Sequence, residues 1–126
     1  MKHVGKKYEA SSDLTIFTVI GQVTHGEIKE VITYFYEGVT SKNVLWDLKK
    51  GKFELISNEE IQDLVNIPKS QYMARKGGKT AIVADKDLAY GMARIYETRT
   101  QISTLPFDTK VFRTIEDAYQ WLNFTE

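Results

Sequence analysis

Gly77-Gly78-Lys79-Thr80 carries the residue types of a phosphate loop, and it is the first place this chain offers chemistry. The full pattern needs a glycine five residues before Gly78, and that position is Met73. In a phosphate loop the strand comes first, so that the N-terminus of the following helix meets the phosphate. Here the motif precedes its strand, TAIVA, and the reading is rejected. Asp47 and Asp85 fall near the carboxyl ends of expected strands, the edge where α/β ligands bind. Two carboxylates there could hold a hydrated magnesium ion, but no adjacent acidic residue completes a cluster. The plainer account makes Asp85 a helix cap and pairs Asp47 with a lysine or a backbone amide. His3 and His25 are the only histidines, and neither has the serine or carboxylate spacing of a triad. Without cysteine they make no structural zinc site. The expectation is no catalytic residue, no metal and no cofactor. Ser57 is the remaining reactive group: it opens Ser57-Asn58-Glu59-Glu60, a capping box ahead of an apolar helical stripe.

The elements that must position these residues follow from periodicity. A first strand over about 7–10 and a turn at Ser11-Ser12-Asp13 lead to LTIFTVI, apolar on both faces like an interior strand. The short turn pairs the two strands antiparallel. Gly21 ends the second strand, and Thr24 with Glu27 forms a capping box for a helix with Ile28, Val31, Ile32 and Phe35 on one face. VLWDL is the third strand and Lys49-Lys50-Gly51-Lys52 a polar, exposed loop. Ile61, Leu64 and Val65 make the stripe of the Ser57 helix, which Pro68 ends. Residues 69–78 are ambiguous, with one helical turn at Tyr72, Met73 and Ala74.

TAIVA is the fourth strand. Asp85 caps the longest helix, with Asp87 in its first turn and Leu88, Met92, Ile95, Tyr96 and Arg99 on one side. Gly91, mid-helix, points to a close packing contact. A last strand at 110–113 precedes a helix capped by Thr114 that turns Ala118, Trp121 and Leu122 inward. The order is ββαβαβαβα. It describes one α/β domain over 1–126, with a single mixed, mostly parallel sheet of about five strands and four main helices.

Composition bounds the function classes. The chain has 126 residues, 42% of them apolar, which suits one globular domain. Its 17 basic and 17 acidic residues balance, so it lacks the electrostatic footprint of a nucleic-acid binder. No apolar run approaches the ~20 residues of a membrane span. The N-terminus has no apolar core of the secretory kind, and the absence of cysteine fits a reducing compartment. A cytoplasmic location is expected. Lys42, Arg75, Lys76, Lys79 and Lys110 fall at one edge of the sheet. They would form a basic rim for anionic head groups or an acidic partner, although solvated charge is the commoner explanation.

VIGQVTHGEI after the second strand, KNVLWDL at the third, GGKTAIVA at the fourth, DLAYGMARIYE and VFRTIEDAYQWL together resemble the STAS superfamily of anti-sigma-factor antagonists. The similarity is greater to its SpoIIAA-like (STAS/SEC14) branch. The resemblance implies a non-enzymatic regulatory or protein-interaction module, switched by phosphorylation of a serine where the loop after the third strand enters the next helix. Ser57 holds that place. The family's Asp-serine-glycine pattern is replaced here by Leu55-Ile56-Ser57-Asn58-Glu59-Glu60, and two glutamates beside an added phosphate would repel it. The branch also implies, as an alternative, a small apolar or lipid ligand and association with a membrane surface. Tyr72, Met73, Tyr90 and Met92 are the candidate lining residues, with segment 66–78 as a lid. Arg94 belongs to the long-helix surface that would meet a partner. A homodimer is compatible with exposed edges, but no residue argues for it. If Ser57 is an N-cap, Ser57→Ala should lose about 1 kcal/mol in urea unfolding at unchanged m-value; no loss would remove the cap.

Overall fold

The computed structural model describes residues 3–67 and 72–125, with Tyr72 described by its backbone alone. The elements are β1 (Val4–Glu9), β2 (Leu14–Gln22), α1 (His25–Glu37), β3 (Asn43–Lys52), α2 (Asn58–Asn66), β4 (Lys79–Val83), α3 (Asp87–Ile102), β5 (Asp108–Phe112) and α4 (Ile115–Leu122). Short 3-10 turns lie at Ala10–Ser12 and Tyr72–Arg75. The order ββαβαβαβα and the single mixed sheet are as the sequence implies. The five strands lie in chain order, β1 antiparallel to β2 and the rest parallel.

That order puts α1, α2 and α3 on one face. Phe17, Val44, Leu48 and Ile82 of the sheet pack there with Ile28, Val31, Phe35, Leu64, Ala89 and Ala93 of the helices. The other face, with Leu14, Leu45, Ala81 and Val83, is closed by Ala118 and Leu122 of α4 and by Phe124. Val44, Trp46, Leu48 and Ile82 face the first core and Leu45, Ala81 and Val83 the second, which is why the middles of β3 and β4 are apolar on both faces.

Several boundaries differ from the sequence reading. β1 begins at Val4, which is buried opposite Val19. Residues 49–52 are not a loop: β3 continues through them, and Lys50, Gly51 and Lys52 pair with Ile20, Gly21 and Gln22 after a register shift. The shift is a bulge, and the extra residue lets the strand run on past its apolar section. Gly51 leaves room there, since a Cβ would lie 2.7 Å from the Phe53 ring and 2.9 Å from the Val19 side chain, and those side chains would have to move. Asp85 is exposed and does not cap α3; the N-cap is Lys86, without a side-chain bond. The buried stripe of α3 is Ala89, Ala93, Glu97 and Thr100, while Leu88 is exposed. Glu97 is buried because its carboxylate accepts from Val111 N (2.9 Å) and pairs with Arg94 (2.9 Å). Pro68, expected to end α2, lies outside the described residues.

The basic rim changes too. Arg75 is 2% exposed and is part of the interior. Lys79 donates to the Trp121 carbonyl (2.7 Å) with its ammonium 5.1 Å over the Trp121 ring. The Gly77-Gly78 pair is accounted for by geometry. Gly77 has φ +77°, and a Cβ on Gly78 would sit 2.0 Å from the Lys42 carbonyl oxygen. Gly91, in contrast, is exposed with nothing within 4 Å of a Cβ, so no packing contact explains it. Gly78→Ala should therefore lower stability by roughly 3 kcal/mol, since backbone must move to admit the methyl. Gly91→Ala should raise it by up to about 1 kcal/mol through helix propensity. Thermal unfolding of the two variants should shift in opposite directions; equal shifts would contradict both packing assignments.

Candidate functional site

Ser57 stands where the chain leaves β3, buries Phe53 and turns into α2. Its extended backbone (φ −89°, ψ 166°) is the N-cap geometry. The hydroxyl accepts from Glu60 N (3.3 Å) and Glu60 Oε1 accepts from Ser57 N (2.9 Å), a complete capping box. Glu60 is also held from α1, with its Oε2 3.7 Å from His25 Nδ1. His25 Nε2 lies 2.7 Å from Asp63 Oδ2, and Lys29 Nζ reaches the same oxygen at 3.2 Å. Arg99 of α3 closes the other side, donating to the Asn58 carbonyl at 2.6 Å.

The Ser57 hydroxyl thus sits on an exposed corner where α1, α2 and α3 interlock through charge. Sequence reasoning found the capping box, which is local, and missed His25, Lys29 and Arg99 as its neighbours. Their separation in the chain carried no signal. Lys29 first, and His25 second, hold the Asp63 carboxyl below its usual range. His3 Nδ1 lies 2.6 Å from Glu27 Oε2 and holds the Glu27 carboxyl low in the same way, helped by the Thr24 backbone N–H that Glu27 accepts in the α1 capping box.

The candidate ligand residues are dispersed. An apolar pocket of about 70 Å³ lies between α1, α2, α3 and the sheet, lined by Ile32, Trp46, Phe53, Leu64, Met92 and Tyr96 among others. Met92 is in this wall. Met73 is exposed, and Tyr90 packs under the Arg113 guanidinium, 3.8 Å from its ring centre. The Tyr72 side chain is outside the described residues. Arg94 faces a polar groove beside β5, paired with Glu97.

Asp47 accepts from Lys49 N (3.1 Å), and Asp85 lies 3.7 Å from Lys86 Nζ. Among the described residues no three His, Cys, Asp or Glu side chains converge as metal ligands. No helix among the described residues is long and apolar enough to cross a membrane.

Two of the solved structures similar to this chain show its fold. An uncharacterised protein of the DUF3478 family with a SpoIIAA-like fold, from Shewanella loihica PV-4, is 17% identical with TM-score 0.56. That match covers 94% of this chain and 91% of the other. The anti-sigma factor antagonist SpoIIAA, in its unphosphorylated form, is 12% identical with TM-score 0.53, over 95% of this chain and 97% of its own. No protein-family model and no curated protein matches the sequence.

The depressed carboxyl at Asp63 fixes the sign of an acid effect. A carboxylate whose folded pKa is below its unfolded value of about 4 adds stability above that value and loses it as pH falls through the folded one. Asp63→Asn should therefore have a flatter loss of Tm than the wild type on acidification below about pH 4. Parallel acid limbs would show that the His25–Asp63–Lys29 link carries no stability.

Proposed function

We propose that this chain, which has the SpoIIAA-like fold, is a single domain over 1–126 acting without catalysis as a regulatory or protein-interaction module. The Ser57 corner is the surface that meets the partner. The observation that carries this is the corner's construction: an exposed hydroxyl on a rigid helix start, ringed by paired charges from α1, α2 and α3. Such a surface can recognise a complementary charged protein and encloses no substrate.

Ser57 is the candidate switch. A phosphate there would meet Glu59 and Glu60, a repulsion. The start of α2 and the guanidinium of Arg99, bound to the next residue's carbonyl, oppose that repulsion. Phosphorylation would also take the Ser57 oxygen out of its bond with Glu60 N and so loosen the capping box.

The alternative, a small apolar or lipid ligand, has an apolar chamber in the right place. Its volume, about 70 Å³, falls well below the roughly 300–1,000 Å³ of pockets that hold drug-sized ligands. The interaction reading is preferred for that reason.

A photo-crosslinking residue at Asn58 tests it, with Val39 as control because Val39 is 96% exposed and precedes β3. In the native host, the Asn58 position should give one discrete adduct that is absent from Val39 and altered in amount by Ser57→Asp. Equal adducts from both positions, or none from Asn58, would overturn the assignment of this corner.

A further inference from the structure

β1 has one neighbour in the sheet, β2, and its other side is an edge. Ile20 N donates to the carbonyl of His3 (2.8 Å), the residue that continues the register of the two strands. A bond between opposite residues marks a hydrogen-bonded pair, and such pairs alternate along an antiparallel ladder. Gly5, Lys7 and Glu9 are therefore the residues bonded to β2. Val4, Lys6 and Tyr8 turn their N–H and C=O groups outward, and residues 5–8 are exposed. An edge of this kind is a template for a further strand.

Behind the edge, between β1 and α1, lies a pocket of about 180 Å³. Val4, Phe17, Val31 and Phe35 are its buried walls, and Lys6 and Tyr34 its exposed rim. A cavity of roughly 150 Å³ admits benzene, so this one has room for a single aliphatic or aromatic side chain. Lys6 lies opposite Phe17 and so stands on the α1 face. Among the described residues its ammonium has no partner. Lysine on an edge ordinarily wards off other strands. Beside an apolar hollow it instead specifies what can add: an acid opposite Lys6 and an apolar side chain opposite Val4.

A second copy of this chain does not supply that acid. In an antiparallel pairing outward-bonding residues face one another, so Val4, Lys6 or Tyr8 of the copy would stand opposite Lys6. Glu9 belongs to the inward-bonding set and is paired with Lys7 (3.0 Å). We propose that the β1 edge docks an extended segment of a partner protein by strand addition, antiparallel to β1. That segment carries a Glu or Asp opposite Lys6 and, two residues later, an apolar side chain that enters the pocket. The Ser57 corner takes no part, so the two assignments stand or fall separately.

Amide hydrogen exchange, followed by NMR on the intact protein, tests the edge. The probe is a ten-residue threonine peptide carrying one glutamate and, two residues after it, one leucine. At saturation the Val4, Lys6 and Tyr8 amides should slow at least about tenfold, with the β5 amides unchanged. Methylating the backbone nitrogens of the glutamate and leucine, which would face β1, should abolish the effect. Lys6→Glu should weaken the peptide about fivefold, and a peptide with lysine in place of the glutamate should recover that loss on the variant. No slowing at millimolar peptide, equal binding of the methylated peptide, or equal affinity of the wild type for the glutamate and lysine peptides would each overturn the proposal. So would protection of the three amides that grows with protein concentration alone, which would make a second copy the occupant.

Discussion

The parallel sheet laid down in chain order, β2 to β5, is the constraint on which the rest of the molecule depends. β2, β3 and β4 are each followed by a helix that must return over the sheet to start the neighbouring strand, and such returns share one hand. Consecutive returns to consecutive neighbours therefore stack α1, α2 and α3 on the same face, while α4, which returns to nothing, is free to take the other. The two cores differ accordingly. Three helices meet Phe17, Val44 and Ile82 across a thick layer, whereas a single helix of eight residues rests on the small side chains of Ala81 and Val83 through Ala118.

The two ends of the sheet are finished differently. At the strand starts, Asp13 accepts from the backbone of Lys42 and Asn43, and the Asn43 side chain bonds Ser12 and Lys79. Arg75 ties the Lys42 and Lys79 carbonyls together. These bonds join β2, β3 and β4 through segments far apart in sequence, and they hold that end rigid. At the strand ends, by contrast, polar groups project outward: Asp85, Lys86 and the Ser57 corner are exposed.

What could be read from the residues was mostly what is local. The capping boxes at Thr24 and Ser57 depend on residues three apart, and both form as their sequences imply. The stripes of α1 and α2 likewise follow from spacing alone. The start of α3 was displaced because Asp85 is a good cap by type, yet the chain needs Lys86 there. The Arg113 guanidinium draws the Asp85 carbonyl and the Asp87 carboxylate together instead. The length of β3 was hidden because Lys49, Lys50 and Lys52 look like loop residues, and only the bulge opposite Ile20 shows that they pair. The interior position of Arg75 was illegible. Its partners Tyr36 and Lys42 lie 39 and 33 residues away, and no pattern of residue types announces them. The same limit hid the company of Ser57, whose neighbours arrive from α1 and α3.

Glu97 has a bearing on how the molecule lives among its own copies. β5 is an edge strand, and an edge normally offers its outward N–H groups as a template for another chain. Here the outward N–H of Val111 is already occupied by the Glu97 carboxylate, which Arg94 secures from one turn earlier in α3. A strand seeking to zip onto β5 would have to evict a buried carboxylate and strand its charge, an unfavourable exchange. At Val111 the edge is thus blocked by a side chain. Resistance to runaway sheet extension is therefore built into this margin by one carboxylate.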